Sequence, residues 1–551
     1  MNGARVRQGV LAALMLAALA GSYYGGQARG LDYSVPERFR YYGLPIALSM
    51  DRYGLPGYVS YAAISNRFHN LIPIEKILAD NLPESLDQQT IDDARRGAGL
   101  FLAPADDKGY VTFSRIAFFV FGTNVPALYQ TYFAMQLLSV VAFIVAFRGS
   151  LSRLFAGVCV MLASLSLVPA FADGLLLPLV ATFYDPRIFG AGAVLATLHL
   201  GFSCIDGPRP SVIRLLGAAY QCFLIVFAVH MRFDNVMLAA GVVAWVLADA
   251  LWRWRTRGLT GFVNCTWAIG VLLATVGGFL AWEKSAYHER YFTTNMSHHL
   301  VWHNVFIGLA LQPAFAGEFE YPSSAARRVD EGGDLAAMKA AARSLLADGK
   351  GDEVAKIFGE AYTNPTGNAA GVTIDVGRFF HTDTSDLARY DVEVQRVVQR
   401  ITAARPWQTV ELFAWYKPRY IVAHYLWMLG LTAQPTVNAA GEPSPLFARG
   451  DGSGRGVVSL APLQLLAVGG LGLAWLIARP SLGQLGSALA GAIVALGASM
   501  APLMVTYAAP FLMGTSLLTL SLTLLLTMAA AATLVASRMS PSRRVGGAVL
   551  Q

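Results

Sequence analysis

Charge is scarce in this chain of 551 residues: Asp, Glu, Lys and Arg together make up 14%, against roughly a quarter in soluble domains. Hydrophobic residues reach 55% and the mean hydropathy is +0.47. A soluble enzyme cannot keep so few charges on its surface, so the composition excludes that class. Cysteine is scarce too. Cys159, Cys204, Cys222 and Cys265 all fall in or beside apolar runs, so neither a disulfide framework nor a thiolate metal site is implied. No internal repeat, glycine-rich phosphate loop or nucleotide-binding pattern is present, which removes ATPases and nucleotide-sugar enzymes.

Long apolar runs are abundant. A helix needs about 20 such residues to cross roughly 30 Å of hydrocarbon. Ten runs qualify, near 9–26, 127–147, 154–172, 188–205, 213–230, 236–252, 260–282, 457–478, 485–508 and 512–537. The expected fold is an all-α polytopic membrane protein of about ten transmembrane helices. The first run, with its basic start and the ending Ala18-Leu19-Ala20-Gly21, reads either as a retained span or as a cleavable signal. With both termini cytoplasmic, the inner turns carry a net +11 and the outer segments −4, which together give the chain's +7. The basic balance is therefore a topology signal, and no nucleic-acid partner follows from it.

This topology gives three regions. Residues 1–282 form a membrane core with a first outer loop at 27–122. Residues 283–456 form an extracytoplasmic helical insert, and residues 457–551 supply the last spans and a basic tail. In the first loop, 64–80 and 86–100 have helical spacing, and Val111 to Gly122 is apolar but too short to cross, as an interfacial helix would be. In the insert, helices are expected over 297–311, 324–347, 352–362 and 385–404, followed by an aromatic helix pair at 407–431.

Where charge is rare, its placement is informative. Three outer turns each pair an acid with a base beside the membrane: Asp106-Asp107-Lys108, Asp185 with Arg187, and Arg232 with Asp234. Asp106 and Asp107 immediately precede the interfacial helix, where they can cap its N-terminus or act as a general base. Leu175 to Phe183 is too short to span and reads as a re-entrant stretch that presents Asp185 and Arg187 at membrane depth. His299 and His303 stand four apart, on one face of a helix if 297–311 is helical. One pair does not make a metal site, so they read as core histidines or as hydrogen-bond donors to an anionic headgroup.

This layout resembles the GT-C superfamily of membrane glycosyltransferases. The matching features are a long first outer loop carrying Asp106-Asp107, a second outer acid at Asp185, seven early spans and then a large outer insert. The resemblance implies transfer of a sugar from a polyprenyl-phosphate donor to a glycan, lipid or protein acceptor on the extracytoplasmic face of a bacterial inner membrane. Asp106 or Asp107 would then be catalytic. Lys108, Asp185, Arg187, Arg232, His299 and His303 would meet the donor phosphate. No residue is assigned to a metal, and a divalent cation stays open as a cofactor. The chain lacks the Trp-Trp-Asp motif of the oligosaccharyltransferase branch. Two other readings remain. One is an O-antigen ligase, polymerase or acyltransferase using an outer histidine. The other is a transporter or flippase, for which mid-span charges and repeats would be expected.

Overall fold

The computed structural model describes residues 3–28, 44–55, 60–61, 88–96, 100–101, 108–172, 185–205, 211–287, 300–319, 333–358, 384–428, 462–507 and 513–539. In chain order its membrane part begins with α1 (Gly3–Ala28), α2 (Leu44–Tyr53), α3 (Gln88–Arg95), α4 (Lys108–Phe121), α5 (Val125–Phe147) and α6 (Leu151–Ala172). Next come α7 (Pro186–Phe189), which runs through the 3-10 turn Gly190–Ala193 into α8 (Val194–Ile205), then α9 (Val212–Met231) and α10 (Val236–Ala286). Helices α11 (Val301–Gly308), α12 (Gly333–Ala347), α13 (Gly351–Phe358), α14 (Thr384–Ala404), α15 (Pro406–Glu411) and α16 (Lys417–Met428) make up the insert. The chain then continues through α17 (Pro462–Ala478), α18 (Leu482–Val505) and α19 (Gly514–Met539). A two-residue antiparallel pair, β1 (Ser60–Tyr61) with β2 (Leu100–Phe101), lies within the first long loop, where only helices were expected.

Among the described residues, eight helices are long and apolar enough to cross a membrane, by length and composition: α1, α5, α6, α9, the two halves of α10, α18 and α19. The expected spans at 188–205 and 457–478 are shorter apolar helices, Gly190–Ile205 and Leu463–Ala478. Helix α10 is broken at Gly258, whose φ of 67° suits glycine, and the break falls between the two spans the sequence separates. Helix starts follow local chemistry. Asn124 caps α5 by accepting the Ala127 N–H at 2.8 Å, and Ser481 with Gln484 forms a capping box on α18.

Apolar side chains alone give little driving force between helices in lipid, so close packing and buried polar links hold the bundle. Gly201 and Gly491 face the Trp245 ring, leaving room for an indole between α8, α10 and α18. Ser139 on α5 donates to Gln221 on α9 at 2.8 Å, Gln221 donates back to the Ser139 carbonyl at 2.9 Å, and His199 on α8 lies 3.4 Å from the same amide. Thr519 on α19 meets Ser499 on α18 at 2.9 Å. At one end of the bundle Arg153 reaches Ser487 at 2.7 Å and Arg253 donates to the Ile205 carbonyl.

The opposite end carries the insert. Helices α11, α12 and α14 pack on one another, and α16 is hydrogen-bonded to the end of α18 and the start of α19. Buried Lys417 donates to the Met504 carbonyl at 2.7 Å and to the Thr506 carbonyl at 2.5 Å, capping α18, while Tyr425 donates to Ser516 at 2.6 Å. Burial pushes the Lys417 amine down to about 7. Above that pH the folded chain holds a neutral amine while the unfolded chain keeps its proton until near 10.5, so folding releases a proton across the window and stability rises with pH through it. Melting curves taken between about pH 6.5 and 9 should show this rise in the native chain, and Lys417→Met should flatten it.

Candidate active site

Helix α4 begins at Lys108, three residues ahead of the expected stretch Val111 to Gly122, and its register is set by a glycine. Gly109 lies directly on the end of α9: a Cβ there would stand 2.5 Å from the Met231 nitrogen and 2.6 Å from the His230 carbonyl oxygen. No larger residue fits against that backbone. One turn on, buried Thr112 meets His230 Nε2 at 2.9 Å. The other ring nitrogen, Nδ1, lies 2.8 Å from Glu283 Oε1 at the end of α10. Tyr287, one turn beyond Glu283, reaches toward both the ring and the carboxylate, at 3.2 and 3.4 Å. Phe279 and Trp282 pack edge-on to the imidazole, with centroids at 4.8 and 5.8 Å.

Past His230 the chain turns sharply. Arg232 Nε donates to Asp234 Oδ2 at 3.0 Å, and Asn235 Nδ2 donates back to the Ala228 carbonyl at 3.0 Å. A second glycine brings the next turn in. A Cβ on Gly190 would collide with Asn235 Oδ1 and stand 3.0 Å from Thr515 Oγ1, so the start of the α7–α8 segment rests on the end of α9 and the start of α19. Buried Asp185 opens that segment, its carbonyl accepting the N–H groups of Ile188 and Phe189 at 2.9 and 2.8 Å. Backbone segments from the three turns that each carry an acid and a base in sequence therefore meet at one end of the bundle. Asp106, Asp107 and His299, with the 175–183 stretch, lie outside the described residues, as do the side chains of Lys108 and Arg187.

Beside this junction opens a groove of about 950 Å³ between α2, α4, α9 and the second half of α10. Its walls are mostly apolar and rich in aromatic rings, with Phe118, Phe223, Phe227, Phe279 and Trp282 among them. Thr112 faces it, and so does the half-exposed pair Arg115 and Asp51, joined at 2.7 Å. Phe119, 91% exposed, continues the apolar surface along α4. A groove of this size, lined by apolar side chains with one ion pair and three threonines, suits a lipid chain that ends in a polar head.

His303 is held elsewhere. In the insert its Nε2 lies 2.9 Å from Asp334 Oδ1 and its Nδ1 lies 2.6 Å from the Tyr390 hydroxyl. Its backbone N–H donates to Asp391 at 2.9 Å. A carboxylate only accepts, so Nε2 carries the proton toward Asp334 and Nδ1 accepts from Tyr390. Both ring nitrogens are thus taken up in joining α11, α12 and α14. His303→Ala should lower stability by about 2–3 kcal/mol, because it deletes a buried ring and both links at once. A thermal melt of the purified chain measures that loss.

Among the described residues no three His, Cys, Asp or Glu side chains gather to hold a metal ion. Sequence reasoning missed Thr112, Glu283, Tyr287 and the Asp51–Arg115 pair. Glu283, Tyr287 and Thr112 meet His230 from 53, 57 and 118 residues away, and Asp51 meets Arg115 from 64. Compared with known proteins, the chain matches no family model, no curated protein and no solved structure.

Proposed function

We propose that the chain is a membrane glycosyltransferase of GT-C type, which moves a sugar from a polyprenyl-phosphate donor to an acceptor hydroxyl on the extracytoplasmic face. In this reading both termini are cytoplasmic, the membrane is a bacterial inner membrane, and the end of the bundle that carries the insert faces outward. The observation that carries it is the meeting of the outer turns beside an apolar groove of about 950 Å³.

The chemistry follows from the charges. The acceptor oxygen attacks the anomeric carbon and its proton passes to the carboxylate of Asp106 or Asp107. The bond from that carbon to the phosphate oxygen breaks, and the lipid phosphate leaves with the electron pair. Lys108, Arg187 and Arg232 supply the positive charge that stabilises it. Lys108 opens α4, directly before the Gly109 contact, so the Asp pair stands in sequence just ahead of the junction.

The groove gives the test. Gly278 lines it, and a Cβ there meets nothing within 4 Å, so Gly278→Phe fills lipid space without disturbing the helix packing. In proteoliposomes supplied with a polyprenyl-phosphate sugar, this variant should raise the donor KM about tenfold, the scale of one displaced apolar contact. An unchanged KM would remove the groove from donor binding, and a wild-type chain that turns over no such donor would remove the reading itself.

A further inference from the structure

Glu283, His230 and Thr112 form a line that glycosyl transfer by the Asp pair does not use. With Glu283 ionised, only the imidazole can donate in their 2.8 Å contact, so Nδ1 carries the proton. Nε2 is then an acceptor, and the Thr112 hydroxyl donates to it at 2.9 Å. A carboxylate that orients an imidazole, which in turn accepts from a hydroxyl, is the arrangement that turns an alcohol into a nucleophile. Three features make it more than a packing contact. His230 is 4% and Glu283 8% exposed, so the carboxylate–imidazole pair is screened from water, and Phe279 and Trp282 pack against the ring. The hydroxyl is not sealed in the core, because Thr112 lines the groove. Arg115, three residues along α4, lines the same groove and places a cation there.

We propose that this line is a second reactive centre, in which Thr112 accepts an acyl group from an ester-linked lipid lying in the groove. Thr112 Oγ attacks the ester carbonyl carbon as its proton moves to His230 Nε2. The carbon–oxygen bond to the lipid alcohol breaks, and His230 returns the proton to that departing oxygen. The acyl-Thr112 ester is then cleaved by water or another hydroxyl, which gives its proton to His230 and restores the threonine. Nothing is oxidised or reduced. The aromatic walls receive the acyl chain, and Glu283 keeps Nδ1 protonated throughout.

The test is independent of glycosyl transfer. Purified protein in detergent is mixed with p-nitrophenyl dodecanoate, p-nitrophenol release is followed, and the protein is digested for mass spectrometry. The expected result is one dodecanoyl group on Thr112. Release should fall about a hundredfold or more in Thr112→Val and His230→Gln, and at least about tenfold in Glu283→Gln. Thr112→Ser should keep the activity, so the proposal stays exposed even if the valine variant folds poorly. It is overturned if wild-type and Thr112→Ser chains both release nothing. It is equally overturned if the acyl group sits on another residue, or if folded Thr112→Val releases p-nitrophenol at the native rate.

Discussion

Replacing Asp106 and Asp107 in turn with asparagine should separate their roles: one variant loses about a hundredfold or more of its transfer rate, while the other stays within about tenfold. Asparagine keeps the size and much of the hydrogen bonding of aspartate but cannot take up a proton at that acidity, so a large loss marks the general base and a small one marks a cap. The two acids precede Lys108, the first residue of α4, and that helix is held hard against the end of α9 by Gly109. A helix N-terminus favours negative charge nearby. Initial rates with a polyprenyl-phosphate sugar in proteoliposomes give the measurement. Two fully active variants would show that the pair plays no part in proton transfer.

The membrane spans were legible because hydropathy is a local property and charge is rare enough to mark where each apolar run stops. The eight long helices fall on expected runs, and Gly258 breaks α10 between the two spans the basic turn separates. The runs at 188–205 and 457–478 form shorter helices, the first because a 3-10 turn at Gly190–Ala193 separates α7 from α8. The acid and base of the 232–234 turn were legible for the same reason, since a charged pair stands out against apolar sequence. The His230 relay was not legible. Thr112 and Glu283 reach it from 118 and 53 residues away, and neither carries a pattern in its own neighbourhood. His303 takes the core role that the sequence left open for it, but its partners Asp334 and Tyr390, both remote in sequence, were not legible, and the shared face with His299 lies outside the described residues.

Gly109→Ala should abolish most of the activity while leaving the span bundle folded. The added methyl would have to occupy space 2.5–2.6 Å from the Met231 nitrogen and the His230 carbonyl oxygen. Both are main-chain atoms at the end of a packed helix, so neither can rotate aside as a side chain could. Helix α4 must therefore lift by about an ångström, and displacement on that scale can cost about a hundredfold in rate when reacting groups are held on separate elements. The same shift stretches the 2.9 Å link from Thr112 to His230, so acyl transfer to Thr112 and sugar transfer should fall together. Packing between the long spans lies away from this contact, and the melting temperature should drop by only a few degrees, as for a loss near 1 kcal/mol. Gly483→Ala is the matched control, because a Cβ there meets nothing within 4 Å, and its rate should stay within about twofold. If Gly109→Ala instead transfers at the native rate, the seating of α4 on α9 does not position the chemistry, and the convergence of the outer turns is a feature of packing alone.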